Sequence, residues 1–308
     1  MTLDCGLSNA LVGQGHPHVT EAIARQLAAP EEGIRERYIA RLLSKFSAPL
    51  SVCYLVHSVN EATELALRIA RAHRPGKDVI VLDDTVYGMT TSLANMSPGR
   101  RKFWVQVASR RDATEVAARA STIEASGRGL CGFFAEGVFD AGYLREAYAS
   151  VRAAGGINVA IEAQTGMGRV GEPFWEFARH GVTPDVVVIG ESMGNGFPMA
   201  AVVTTPDLAA PFDTGTGGGP VACAAGLAVL DVLEPPTWNP SFEGLGLNVR
   251  GAGLCFEIDV PDAQSTIARL RERRIGIAAR GNTLLFRPPL TFSRDDASEF
   301  IEGLRKCV

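Results

Sequence analysis

The sequence predicts an α/β protein, and three features carry that reading. Short apolar runs recur along the chain, the clearest being Val186–Ile189, four β-branched residues that read as a buried parallel strand. Between such runs lie longer stretches with an amphipathic helical period, as in 59–73 and 112–126. The third feature is a glycine-rich turn directly behind a strand. Val186–Ile189 breaks at Gly190, and Gly194-Asn195-Gly196 behind it tolerates the positive φ that lets a backbone double back. Ile161-Glu162-Ala163-Gln164-Thr165-Gly166-Met167-Gly168-Arg169-Val170-Gly171 has the same form, a strand and then a glycine loop. With 308 residues, 46% of them hydrophobic, the chain can bury one large core and a smaller one.

In chain order, Gly13–His18 is a turn that feeds a helix, with Pro17 near its first position and an amphipathic run to about Leu27. A second helix, roughly Glu32 to Phe46, precedes the strand Val52–Val56. His57-Ser58-Val59-Asn60-Glu61-Ala62 then opens a helix to about His73. Asp78–Leu82 is the next strand, closed by Thr85-Val86-Tyr87-Gly88, with a strand at Trp104–Val107 and a helix at Asp112–Ser126 after it. Leu130–Glu136 is a buried strand ending in a carboxylate, with a short loop to the helix Tyr143–Ala154. In the strand Asn158–Gln164, alternation puts Val159, Ile161 and Ala163 on one face and Glu162 on the other. Met199–Thr204 is a strand, and the loop Asp213–Pro220 enters the helix Val221–Leu233. A Pro- and Asn-rich stretch, Glu234–Leu245, leads to Gly253–Val260, helix Ala263–Arg274, strand Thr283–Phe286, Arg287-Pro288-Pro289-Leu290 and a last helix.

A net charge of −4 and a pI near 5.8, with no basic cluster, argue against a nucleic-acid partner. Six cysteines without a C-x-x-C pair read as free thiols, and no apolar run has the length of a membrane span. The expectation is a soluble, cytoplasmic protein without a membrane partner.

Three long motifs in the right order carry a resemblance: SxxEAxELALRIAR at 58–71, IEAQTGMGRVG at 161–171 and GESMGNGFP at 190–198. Together they resemble the class III aminotransferases, fold-type I enzymes that use pyridoxal phosphate, and in particular their phospholyase branch. The resemblance implies a large domain with a mostly parallel sheet and helices on both faces. It also implies a truncated α+β small domain, with boundaries expected at 31–235 for the large and at 1–30 with 236–308 for the small. A homodimer is expected too, with the cavity at a two-fold interface and the Thr214–Gly219 loop contributed across it.

Against the family pattern, the machinery of the cofactor is replaced. The family places its Schiff-base lysine where this chain has Glu191, and its pyridine-binding aspartate where this chain has Ile161. Its phosphate-cradling Gly-Ser falls on Val59 and Asn60, its stacking aromatic on Val86, and its histidine on Tyr87. The threonine that reaches the partner's phosphate falls at Gly215, flanked by Thr214 and Thr216. The carboxylate-binding arginine falls at Leu285, two residues before Arg287. Gln164 matches a glutamine near the cofactor's phenolic oxygen, and Glu136 a glutamate at the cavity edge.

No cofactor and no metal are therefore expected, and ordinary transamination is not. Two main readings stay open. In one, a cofactor-independent enzyme reuses the vacated cavity for acid–base work on a small polar, amine-bearing or cationic molecule. Its catalytic groups would be Glu191, His57, Tyr87 and Glu136, and its substrate contacts Asn60, Gln164, Ile161 and Arg287. Desolvation over the apolar floor of Ile161 and Ala163 would raise a carboxylate pKa there. In the other, the chain is a non-catalytic subunit that stabilises or regulates an active relative. Each residue also has a plainer role: Ser58 or Asn60 as a helix cap, Tyr87 as a packing ring, Glu136 and Arg287 as strand ends, and Glu191 as an ion-pair strut to Arg169 or Arg287.

Overall fold

A computed structural model describes residues 3–7, 9–74, 76, 78–210, 212 and 217–308. Seven strands form the main sheet: β1 (Val52–Val56), β2 (Asp78–Leu82), β3 (Val105–Ala108), β4 (Leu130–Glu136), β5 (Ile157–Ile161), β6 (Val186–Ile189) and β7 (Ala200–Thr204). Their spatial order is β1-β7-β6-β5-β4-β2-β3, and only β7 runs against the others. The central strands are buried on both faces, which is why they read as continuous apolar runs rather than as alternations.

Each face of the sheet carries its own core. On one side helix α1 (Val59–His73) lays Ala62, Leu65, Ala66, Ile69 and Ala70 against Val79, Val81, Val159, Ile161 and Val188. On the other side Tyr38, Leu42, Phe133, Tyr148, Val187 and Val229 pack together. Ala160, Val187 and Ile189 belong to this second face, so the expected alternation of β5 holds through Ile161.

A four-stranded antiparallel sheet forms a separate, smaller unit: β8 (Val249–Ala252), β9 (Cys255–Asp259), β10 (Ala278–Arg280) and β11 (Thr283–Phe286), in the order β10-β11-β9-β8. Its core is aromatic, with Phe286 stacked on Phe300 at 4.8 Å between centroids and Phe242 tilted on Phe256 at 5.0 Å. Burying each such ring contributes roughly 1.5–3 kcal/mol.

Within Gly253–Val260, Gly253, at φ +57°, turns the chain between β8 and β9. Two expectations need correction. The strand expected to reach Gln164 leaves the ladder after Ile161, since Gly166 folds back so closely that a Cβ there would lie 2.7 Å from the Glu162 carbonyl oxygen. The first thirty residues do not belong wholly to the small unit. Leu11, Val12 and Val19 join the main core, while Cys5 and Leu3 pack with the small one.

Candidate functional site

The turns that leave the parallel strands at their C-terminal ends meet on one edge of the main sheet, where open α/β sheets bind ligands. Five segments gather there: 57–60 after β1, 83–90 after β2, 136–142 after β4, 162–166 after β5 and 190–196 after β6. Every sequence-predicted site residue except Arg287 lies in or beside one of them.

Helix α1 begins with an ordered cap. Ser58 Oγ accepts the Glu61 N–H at 3.3 Å, and the Glu61 carboxylate accepts the His57 N–H at 3.1 Å. His57 Nδ1 lies 3.4 Å from the same carboxylate, and the imidazole is more than half exposed. The Val59 N–H is another orphan donor of the first turn, and Glu191 Oε1 accepts it at 3.0 Å. A carboxylate at a helix N-terminus is favoured by the macrodipole as well as by the hydrogen bond. The strut expected between Glu191 and Arg169 or Arg287 is thus a different one. Arg169 is buried and instead donates to the Arg287 carbonyl at 3.1 Å and to the Pro288 carbonyl at 2.5 Å.

Asn60 is also engaged. Its Oδ1 accepts the Met89 N–H at 2.9 Å and pins the loop after β2 across the start of α1. Gly88, at φ +143°, permits that approach, because a Cβ there would come within 2.3 Å of Asn60 Oδ1. Tyr87 corrects the expectation of a phenol facing the cavity. Its ring is buried edge-on against Phe134, its hydroxyl accepts the Leu82 N–H at 2.9 Å, and it donates to the Phe134 carbonyl at 2.8 Å. Burial pushes the phenol above its ordinary range. Val86 and Met89, on the same loop, are exposed instead, at 66% and 88%.

Ile161 is buried in the α1-side core beside Ala163, in register with Glu136 on one side and Val188 on the other. Glu136 is partly buried, and its carboxylate has no hydrogen bond or ion pair among the described residues. Burial pushes that carboxyl up from the ordinary range, against the pull of Arg287, Arg110 and Arg280. The Gln164 amide likewise has no hydrogen-bond partner among the described residues. Arg287 is 14% exposed, with a long contact, 4.0 Å, to Glu257 and a hydrogen bond to the Cys255 side chain, while its Nε is unpartnered among the described residues. It stands in the small unit, within electrostatic reach of Glu136 but away from Glu191's bond to α1. Thr214, Gly215 and Thr216 lie outside the described residues.

Two residues have roles here that their local sequence does not announce. Asn195, at φ +53°, accepts the Val12 N–H and donates to the Gly13 carbonyl, both at 2.9 Å, fastening the N-terminal segment to this edge. Its place in Gly-Asn-Gly signals the turn but not the long-range clamp. Arg110 sits in Ser-Arg-Arg-Asp, which has no motif character, yet it is 8% exposed and bonded on every side. Only the fold brings its partners together.

Residues 110–308 match the family model described as Aminotransferase class-III. The chain is 34% identical to an alanine–glyoxylate aminotransferase 2-like protein of Drosophila melanogaster, over 99% of this chain and 78% of that protein. It is 28% identical to ethanolamine-phosphate phospho-lyase homolog 1 of Caenorhabditis elegans, over 98% and 83%. Among solved structures, a phospholyase from Arthrobacter in complex with phosphoethanolamine superposes with a TM-score of 0.90 at 30% identity, covering 99% of this chain and 90% of that one. An ornithine aminotransferase from Toxoplasma gondii has the same fold, with a TM-score of 0.82. Motifs, sheet order and relatives agree that the chain belongs to the class III aminotransferase family.

Proposed function

We propose that this protein is a pseudo-aminotransferase, a family member that has given up pyridoxal phosphate chemistry and serves as a non-catalytic subunit. The observation that carries this reading is the bond from the Val59 N–H to the Glu191 carboxylate. At the helix end where the resemblance implies a bound phosphate, the chain supplies its own anion. At the position where it implies an amine, that anion is the side chain. The chain's lysines are Lys45, Lys77, Lys102 and Lys306, none in the five turns of this edge. The donor set does not fit the cofactor: no amine to bond it, no aspartate beside Ile161 to hold its ring nitrogen, and an anion already on α1.

The other polar replacements have structural work. Asn60 pins the loop after β2, Tyr87 joins β2 to β4, and His57 belongs to the cap of α1. Adding pyridoxal phosphate to the purified protein is expected to give no new visible absorbance band and no adduct retained after borohydride. Glu191→Lys alone is expected to behave the same way, because Ile161, Val59 and Val86 remain. A stoichiometric adduct on the unaltered chain would overturn the proposal.

The homodimer belongs to the same proposal. Val86 and Met89 expose apolar surface beside the start of α1, at the edge where the resemblance puts the partner. Light scattering at micromolar concentration is expected to give a dimer mass, and Met89→Glu to shift it toward monomer. A monomer for the unaltered chain refutes this part.

A second reading, the cofactor-independent acid–base enzyme, draws on Glu136 and Gln164. The first has a raised carboxyl and the second an amide, neither with a direct partner among the described residues, and both stand at the strand ends. That reading requires turnover of a small cationic or amine-bearing substrate that Glu136→Gln abolishes with the fold intact. Under the non-catalytic reading, Glu191→Gln lowers thermal stability and no turnover exists to lose.

A further inference from the structure

The two sheets are joined by charges that alternate around a closed circuit. Asp84, just after β2, and Arg110, just after β3, come from the main sheet, while Glu257 in β9 and Arg280 in β10 come from the small one. Arg110 Nε donates to Asp84 Oδ1 at 2.6 Å. Arg280 Nη2 lies 3.0 Å from Asp84 Oδ2 and 2.7 Å from Glu257 Oε1. Arg110 Nη1 closes the circuit, 3.9 Å from the same Glu257 oxygen. Glu257 is 1% exposed, and its other oxygen accepts from Arg250 Nε at 2.9 Å.

Arg110 spreads the tie beyond the charges. Its remaining donors reach the Gly137 carbonyl at 2.8 Å, the Glu136 carbonyl at 3.2 Å and Thr85 Oγ1 at 2.7 Å, so one guanidinium holds the ends of β2 and β4 while facing β9. A buried charge that loses its partner is strongly unfavourable, so these ion pairs resist any shift that would part them.

We propose that Asp84, Arg110, Glu257 and Arg280 form an ionic latch that holds the small sheet at one distance and angle from the main sheet. The small unit is then a fixed wall beside the strand-end edge and does not swing as a lid. The latch stands independently of the cofactor reading: either can fail while the other holds.

The test is a distance between spin labels, one on each unit. Ser121→Cys on the exposed face of helix 114–125 and Ser298→Cys on helix 294–305 take the labels, in a Cys53→Ser background because the other cysteines are buried. With the latch intact, and the labelled chain diluted into an excess of unlabelled chain so that only pairs within one protomer are read, pulsed electron resonance is expected to give one narrow distance distribution, unchanged from low salt to about 1 M sodium chloride. Only exposed charges are screened over the Debye length of about 3 Å reached there. Asp84→Asn with Arg280→Met is expected to broaden that distribution or shift it by several ångströms. Should the pair not fold, Asp84→Asn alone alters a 40%-exposed carboxylate without changing its shape, and high salt is then expected to broaden its distribution. Arg152→Met, which removes an exposed ion pair within the main unit, serves as the control with no change expected. A distribution that stays narrow in the folded latch variants overturns the proposal, as does one already broad in the unaltered chain.

Discussion

Tyr87→Phe is expected to lower folding stability by about 2–4 kcal/mol, a large share of what a protein usually has to spare. The hydroxyl sits between two strands of the main sheet, accepting the Leu82 N–H at 2.9 Å and donating to the Phe134 carbonyl at 2.8 Å. Removing it changes no volume to speak of, so the cost is not a cavity. It leaves two buried main-chain groups without partners, each worth about 1–3 kcal/mol. The ring itself stays, edge-on to Phe134 with centroids 6.4 Å apart, and the loop remains held by the bond from the Tyr87 N–H to Ser97 Oγ. Urea titration should therefore show a lower midpoint with an unchanged slope, since the folded surface is the same. Unchanged stability together with loss of a measurable turnover would return Tyr87 to the chemistry.

The same residue shows how far the sequence reaches. The strands β1, β2, β4, β6 and β11 can be read to the residue, because each is a run of apolar or β-branched side chains with turn formers at its ends. The positions that gather at the strand ends are legible too, since each lies at the end of such a run or in the turn behind it. What those side chains do there is not. Whether Tyr87 faces a cavity or a core depends on where Phe134 lies, forty-seven residues away, and nothing local encodes that. Glu191 is similar. A carboxylate on an apolar floor suggests a raised pKa or an arginine partner, and the partner is instead a main-chain N–H of a helix 132 residues earlier. Main-chain donors have no letter in the sequence, so reasoning from side chains passes over them. The charges joining the sheets were hidden for a related reason: Asp84, Arg110, Glu257 and Arg280 come from four separate segments, none with motif character.

The large pH effect should come from the other side of β5. Glu162 is 1% exposed, with one carboxyl oxygen 2.9 Å from the Phe177 N–H and the other 2.9 Å from Thr165 Oγ1. Close by is a second buried carboxyl, Glu176, 2.9 Å from His180 Nε2, which also lies 2.9 Å from the Val138 carbonyl. Burial, and then the charge of Glu176, push the Glu162 carboxyl up to about 8, although the main-chain N–H groups and Thr165 pull the other way. The folded chain thus keeps a proton that the unfolded chain releases in the ordinary carboxylate range. Folded protein binds more protons than unfolded across that window, so stability falls as pH rises through it and levels off above about pH 8. The thermal midpoint should be lower at about pH 9 than at about pH 6. Glu162→Gln keeps an acceptor for the Phe177 N–H and carries no charge at any pH, so it should flatten this decline and melt above the unaltered chain at about pH 9. Glu176→Gln removes the repelling neighbour and should move the decline to lower pH without abolishing it. If Glu162→Gln kept the full slope, the proton would reside elsewhere, on Glu176 first of all, because burial raises that carboxyl too.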